Sequence, residues 1–182
     1  MSNYFEKMGS VWYKLNNGDT VYMNDISKFV AFTNTWAKNT NAQLTYRIND
    51  GEFPHQLSLR LYGSLDYWWT ILLANNIYDF NNQWPRSTAQ VDAYIAWKYP
   101  DNLPSDAHHY MTPNGLVADL LTYYVLYGAT TDAQAIQIGN LIPVSIYDYE
   151  HNLNDLKREI VLIDPDYIQA VQAEYETLME QQ

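Results

Sequence analysis

The densest apolar pattern in the chain lies in residues 54–76, where it predicts two short helices joined by a tight turn. Pro54 suits the first position of a helix because its missing N–H needs no partner there, and Gly63 supplies a left-handed end to that helix. Ser64 is a candidate cap of the second helix, with Asp66 in its first turn. Because apolar residues cover most of the second helix, we expect it to be buried on nearly all sides.

The candidate core or interface of this helix hairpin consists of its large apolar residues, its turn glycine, an asparagine that can bond backbone groups where the second helix ends, and the tryptophan that closes the segment. These residues are Leu57, Leu61, Tyr62, Gly63, Trp68, Trp69, Ile71, Leu72, Asn75 and Trp84.

Weaker patterns on both sides of the hairpin predict further strands and helices. Residues 44–48 alternate as a strand does, and residues 120–127 fit a strand or a short helix equally well. The other predicted elements are a turn at 49–51, a helix over 87–98 capped by Ser87, a hairpin turn at Pro113-Asn114-Gly115, a helix over 147–157, a strand over 159–163 and a final helix after Asp164-Pro165-Asp166.

The two ends of the chain differ in regularity. Near the N-terminus the pattern predicts a turn at residues 16–19, a short strand at 21–23, and a helix over Ile26, Phe29, Val30 and Phe32. The final helix is amphipathic, and one face forms a candidate C-terminal docking stripe: Ile168, Val171, Tyr175 and Leu178.

Composition narrows the class of partner. The net charge of −11 and pI near 4.5 disfavour nucleic acid and anionic membranes, since both attract basic surfaces. The chain has no cysteine for disulfides or thiolate metal sites, no apolar run long enough to span a bilayer and no signal-peptide pattern, so we expect a soluble protein made in a cytoplasm. The 17 Tyr and 6 Trp exceed the 5 Phe, which favours surfaces that become dry in a complex.

Candidate catalytic groups do not assemble into a site. His108 and His109 lie near acidic residues, but adjacent side chains point apart, which disfavours a shared metal ion. Glu52 and Asp66 flank the hairpin as a glycosidase pair might, yet turn and helix-start roles suit them better. The chain has no glycine-rich phosphate loop. We therefore predict a protein that is not an enzyme and that holds no cofactor or metal.

The centre of the chain combines a strand and Gly51-Glu52 with a helix ending at Tyr62-Gly63 and the string Trp68-x-x-Ile71-x-x-Ala74-Asn75. This combination resembles the LysM module, a small βααβ fold that binds N-acetylglucosamine polymers. LysM modules usually carry Gly-Asp-Thr-Leu where this chain has Gly51-Glu52-Phe53-Pro54. Their closing strand, with an apolar-x-Ile-Pro ending, does not follow at the usual distance, and the nearest such string is residues 138–143.

Two separated sets of residues extend the resemblance. The first set is Tyr62-Gly63, Trp69, Asn75, Tyr78-Asp79 and Trp84, and the second is Tyr149-Glu150, Asn152, Asn154, Leu156, Arg158, Ile160 and Ile163, followed by the amphipathic helix. In this order they resemble the LysM-containing baseplate wedge proteins of T-even-type contractile-tailed phages. That family commonly has proline after the aspartate, where this chain has Phe80.

This resemblance implies an α+β fold with a small LysM-like βααβ core, an extended N-terminal arm, an irregular insertion and a C-terminal strand plus helix. The corresponding segments are an arm with one short helix (1–43), the LysM-like hairpin with the helix after it (44–100), an irregular insertion with a hairpin (101–145) and a helix-strand-helix region (146–182).

The resemblance also implies the function. It indicates a structural subunit of the virion tail baseplate wedge, assembled in the host cytoplasm, which joins other wedge proteins in a sixfold arrangement through its LysM-like core and aromatic-rich arms. From the LysM likeness alone, the alternative is a peptidoglycan-binding module of a cell-wall-associated tail protein. A third hypothesis, a cell-wall hydrolase, requires a carboxylate pair that the sequence does not supply.

Overall fold

The computed structural model describes residues 9–25 and 42–180, which form a mixed α+β structure. The helix predicted over Ile26, Phe29, Val30 and Phe32 lies outside the described residues. The elements in chain order are β1 (Ser10–Lys14), β2 (Thr20–Asn24), β3 (Gln43–Arg47), α1 (Pro54–Tyr62), a 3-10 turn (Leu65–Tyr67), α2 (Trp68–Ala74), α3 (Phe80–Gln83), α4 (Thr88–Lys98), β4 (Ala107–Met111), β5 (Val117–Ala118), α5 (Leu120–Tyr127), α6 (Asp132–Gly139), β6 (Ile142–Ser145), α7 (Ile146–Asp155), β7 (Glu159–Ile163), a second 3-10 turn (Pro165–Tyr167) and α8 (Ile168–Glu180).

Contacts divide the chain into two compact units: Met1–Trp84 with Arg158–Gln182, and Pro85–Lys157. In the first unit β3 pairs with β7 in antiparallel register, and β1 pairs with β2 as a separate hairpin. Helix α2 packs on β7. The main core of this unit contains residues of α1, α2 and β7 together with the residues that directly follow β3 and α3. These residues are Ile48, Leu57, Ile71, Trp84, Ile160 and Leu162.

The ends of α1 and α2 follow from local chemistry. Pro54 is the first residue of α1, and Gly63 ends that helix with a φ of 70°. This left-handed conformation carries no steric penalty for a residue without a Cβ. Ser64 then accepts a hydrogen bond from the backbone N–H of Asp66, which starts the 3-10 turn leading into α2. The predictions made for Pro54 and Gly63 are confirmed, whereas Ser64 caps the 3-10 turn that precedes α2 and not α2 itself.

The second unit packs α4 against α7 through Val91, Ile95 and Ile146. Ser87 caps α4 as predicted, with its hydroxyl accepting from the N–H of Gln90. Strand β4 pairs antiparallel with both β5 and β6. Among the described residues, no helix is both long and apolar enough to cross a bilayer.

Residues 101–145 contain more regular secondary structure than the sequence predicts. The predicted turn at 113–115 connects β4 to β5, but two helices and β6 follow it. Residues 120–127 form helix α5, because the Asp119 carboxylate accepts from the N–H of Leu121 at its start and Gly128, with a φ of 70°, ends it. These two end residues decide between the strand and the helix that periodicity left open.

The strand that pairs with β3 is not the one in residues 138–143, where the sequence has the nearest match to the closing strand of a LysM module. Residues 142–145 form β6, which pairs with β4 in the second unit. Strand β7 pairs with β3 instead, with Gln43 opposite Ile163 and Arg47 opposite Glu159. Ile160 and Leu162 of β7 lie in the core of the first unit, which favours this partner for β3 because both side chains leave water there.

Candidate interaction surfaces

Distant parts of the same chain cover the α1–α2 hairpin. Trp69 is 5% exposed, and its ring centroid lies 4.5 Å from that of Tyr175 in α8. Ile71 is fully buried in the cluster that contains Ile160 and Leu162 of β7. The apolar hairpin is therefore buried by β7 and α8 within the first unit.

Asn75 joins the end of α2 to β7. Its Oδ1 accepts from the N–H of Val161 at 2.8 Å, while its Nδ2 donates to the carbonyls of Val161 at 2.7 Å and Ile71 at 2.8 Å. Sequence reasoning predicted that Asn75 would bond backbone groups at the helix end, but it missed the bonds to the strand. Those bonds depend on a residue 86 positions away, so no local pattern indicates them.

The other hairpin candidates divide between core and partly buried positions. Leu57 and Trp84 are buried, and the indole N–H of Trp84 donates to the carbonyl of Glu52 at 2.9 Å. Leu61, Tyr62, Trp68 and Leu72 are partly buried against the cores, and Gly63 is exposed. Burial raises the pKa of Tyr62 to about 12, and its hydroxyl donates to the carbonyl of Ile163 at 2.9 Å.

The carboxylate of Glu52 belongs to a turn network. It pairs with Arg60 at 2.8 Å and accepts from the hydroxyl of Tyr46 at 2.8 Å and from the backbone N–H of Asn49 at 3.1 Å. The pKa of Tyr46 is raised, mainly because the side chain is partly buried and also because its hydroxyl donates to Glu52. Asp66 lies at the start of the 3-10 turn, where its carboxylate accepts from the hydroxyl of Ser64. Glu52 and Asp66 therefore both have structural roles.

Three of the four residues of the C-terminal stripe are buried inside the first unit. Ile168 and Val171 pack with Ile163, and Tyr175 packs with Trp69. Leu178 is partly buried against the same cluster as Trp69. This face of α8 docks on the chain's own hairpin, so the exposed surface of the first unit lies elsewhere.

A shallow apolar groove of about 500 Å³ opens beside the hairpin. It is lined by residues from the start of α1, from α2 and from α3: Phe53, Pro54, His55, Trp68, Leu72 and Phe80. The ring of Phe80 stacks on Trp84 at 5.8 Å and lies 6.4 Å from Phe53. These aromatic contacts shape one wall of the groove.

The β1–β2 hairpin presents aromatic residues to solvent on both strands. All five residues of each strand are exposed, and Trp12 lies opposite Tyr22 with ring centroids 4.9 Å apart. The sequence predicted the turn at 16–19 and the second strand but missed β1. The run of valine, tryptophan and tyrosine at residues 11–13, which suits a strand, was the signal that could have found it.

His108 and His109 contact each other through their rings. Their Nδ1 atoms are 3.0 Å apart, and the ring of His108 stacks on Tyr149 at 3.9 Å. Burial, together with the charge of His109, lowers the pKa of His108. Across residues 9–25 and 42–180, no cluster of three or more candidate metal ligands occurs.

Beside these histidines, Glu150 is held in a polar network. It is 6% exposed, pairs with Nζ of Lys98 at 2.6 Å and accepts from the hydroxyl of Tyr99 at 2.8 Å. Burial by itself would raise the pKa of Glu150, but the hydrogen bonds from Lys98 and Tyr99 lower it below its ordinary value. The network links α4 to α7 and has a structural role.

The geometry thus shows buried structural networks and exposed aromatic surfaces. No curated protein matches the chain. Residues 3–178 match the family model described as base plate wedge protein 53. A match over nearly the whole chain means that this protein belongs to the family of base plate wedge protein 53, structural proteins of the phage tail baseplate in the virion.

Proposed function

We propose that this baseplate wedge protein joins neighbouring wedge proteins of a contractile tail through its aromatic β1–β2 hairpin and the open side of a LysM-like core. The observation that carries this proposal is the hairpin, in which every strand residue is exposed and Trp12 and Tyr22 lie side by side. Aromatic residues of this kind are enriched at the centres of protein interfaces, where their large surfaces leave water.

The LysM-like part of the proposal rests on element order. Strand β3, helices α1 and α2, and strand β7 follow one another as β, α, α, β, with the two strands antiparallel. The second unit, Pro85–Lys157, is inserted between the second helix and the closing strand. This insertion accounts for the absence of a closing strand at the usual distance.

The open side of that core is the groove lined by Phe53, Trp68 and Phe80. Its lining is almost entirely apolar, which suits a protein surface better than a sugar polymer, whose many hydroxyl groups need hydrogen-bonding partners. We therefore assign the groove to a neighbouring wedge protein. In this proposal the copies of the present protein are arranged around the sixfold axis of the baseplate.

A matched pair of tryptophan substitutions tests the proposal. Trp12 and Trp97 are 70% and 76% exposed, so replacing either with alanine should leave the fold intact. We expect Trp12→Ala to weaken binding to the other wedge proteins of the same phage by at least about tenfold, in a titration of purified proteins, because truncating a tryptophan anchor of an interface costs about 2 kcal/mol or more of binding free energy. Trp97→Ala is the control.

Equal affinity of the Trp12→Ala and wild-type proteins would overturn the assignment of the hairpin. A sedimentation assay with purified peptidoglycan distinguishes the wedge function from the alternative, a peptidoglycan-binding module. Cosedimentation of the wild-type protein that Trp68→Ala abolishes would favour a sugar-binding groove over a wedge contact.

A further inference from the structure

The outward face of helix α5 is exposed and, apart from Thr122, apolar. Leu121, Val125 and Leu126 are 63%, 71% and 71% exposed. At roughly 100° per residue these three side chains lie within an arc of about 140° on one side of the helix. The helix, Leu120–Tyr127, contains no charged residue. Leu116 and Val117, which precede the first residue of α5 by four and three positions, are also exposed apolar residues.

Contacts on the opposite face fix this orientation of α5. The hydroxyl of Tyr124 donates to Asp132 of α6 at 2.6 Å. The ring of Tyr123 lies so close to Gly139 that an added Cβ there would be 2.6 Å from the ring. Because α6 holds both tyrosines, α5 cannot rotate to bury Leu121 and Val125 without breaking these contacts.

Charge defines what this surface can bind. No lysine or arginine lies between Lys98 and Lys157, whereas that stretch contains seven aspartate and glutamate residues. Two exposed acids, Asp119 and Asp132, stand at the start of α5 and of α6. A second copy of the chain would bring the same acidic residues together, and each copy has a net charge of −11. Like charges across an interface oppose binding, while a basic partner would be attracted.

We propose that the α5 surface, defined as Leu116, Val117, Leu121, Val125 and Leu126, binds another baseplate protein through an apolar patch flanked by lysine or arginine. The apolar residues of the partner would cover the outward face of α5, and its basic residues would lie near Asp119 at the start of that helix. We take the partner's location in the baseplate from the proposed function, while the surface itself is distinct from the β1–β2 hairpin.

The apolar contact is tested with a matched pair of leucine substitutions. Leu121 is 63% exposed and Leu156, in the same unit but outside α5, is 77% exposed. We expect Leu121→Ser to weaken binding to one of the other wedge proteins of the same phage by at least about tenfold, since the substitution removes an apolar side chain that the partner would cover. Leu156→Ser should bind as the wild type does. Circular dichroism and thermal melting of both variants check that the fold is kept.

The charge contact is tested by the salt dependence of the same binding. Asp119→Asn removes the charge but keeps a side chain that caps a helix equally well, and Asp101→Asn removes one exposed charge away from α5. We expect the dissociation constant of the Asp119→Asn protein to rise less steeply with salt than that of the wild type. Asp101→Asn should retain the wild-type slope.

Three outcomes would overturn the proposal, and they separate it from the proposed function. If Leu121→Ser binds every wedge protein normally while Trp12→Ala does not, the α5 proposal fails and the wedge function stands. If analytical ultracentrifugation shows a dimer that Leu121→Ser abolishes, the occupant is a second copy. If the wild-type protein binds none of the purified wedge proteins, both proposals fail.

Discussion

Single residues connect parts of the first unit that are far apart in the chain, and Trp69 is the largest of them. Its indole packs between α2 and α8 against Tyr175 and Met179. We expect Trp69→Ala to lower the free energy of unfolding by about 3–5 kcal/mol, because it removes a large buried side chain and leaves a cavity. Chemical denaturation measures the loss, and Trp97→Ala provides the control at an exposed tryptophan. Equal stability of the two variants would place Trp69 outside the core.

Asn75 makes a second residue-scale connection, by hydrogen bonds. Asn75→Ala would leave the N–H and the carbonyl of Val161 without these partners beside a packed helix. We expect the free energy of unfolding to fall by about 1–3 kcal/mol for each group that stays unsatisfied. Asn75→Asp should not restore stability, since a carboxylate keeps the acceptor but turns its other oxygen toward two carbonyls. The exposed Asn152, replaced by alanine, is the control.

At the scale of elements, helix α8 completes the first unit. Its buried face contacts the hairpin through Val171, Tyr175 and Met179. Removing residues 165–182 should therefore expose Trp69 to solvent and broaden or lower the thermal transition. It should also block assembly of wedges in cells that express all the baseplate proteins, with electron microscopy as the measurement.

The control for this deletion changes only the exposed face of α8. Gln169→Ala with Thr177→Ala keeps the helix and leaves its buried face untouched. That double variant should assemble normally. Truncated particles that assemble and infect like the wild type would contradict the role assigned to α8.

At the scale of the whole molecule, charge sets the response to acid. Hydrogen bonds from Lys98 and Tyr99 lower the pKa of Glu150 in the folded protein below its ordinary value of about 4.5. A carboxyl group whose pKa is lower in the folded state stabilises the fold above its unfolded pKa, and that stability is lost as pH falls through the folded pKa. The loss should thus begin near pH 4.5 and continue below it.

Comparing the wild type with Glu150→Gln isolates this contribution. The variant should be less stable at pH 7, and the difference in melting temperature should shrink as the pH falls below about 4.5. Other carboxylates titrate in both proteins, so their effects cancel in the difference. A difference that stays constant from pH 7 to pH 3 would exclude Glu150 as the titrating group.

Much of the local structure could be predicted from residues that act on their neighbours. Pro54, Gly63 and Ser87 mark helix ends through backbone chemistry that needs no distant partner, and each lies where the sequence predicted it. The segment 120–127 shows the limit of periodicity, because an apolar run is compatible with a strand or a helix until its capping residues are considered. Local patterns also identified the large apolar residues of the hairpin, but they could not tell which of these residues lie in the core and which lie at the surface, because burial depends on distant segments.

By itself, the sequence determined the mixed α+β class, the helix hairpin with its turn at Gly63, and the acidic, tyrosine-rich character that disfavours nucleic acid and anionic membranes as partners. Only the tertiary structure decided that β3 pairs with β7, whose facing residues Arg47 and Glu159 are 112 positions apart. It also decided that α8 covers Trp69 and that the outward face of α5 stays open. The physical reason is that caps and turns depend on adjacent residues, whereas strand pairing and burial depend on which distant apolar surfaces meet and exclude water.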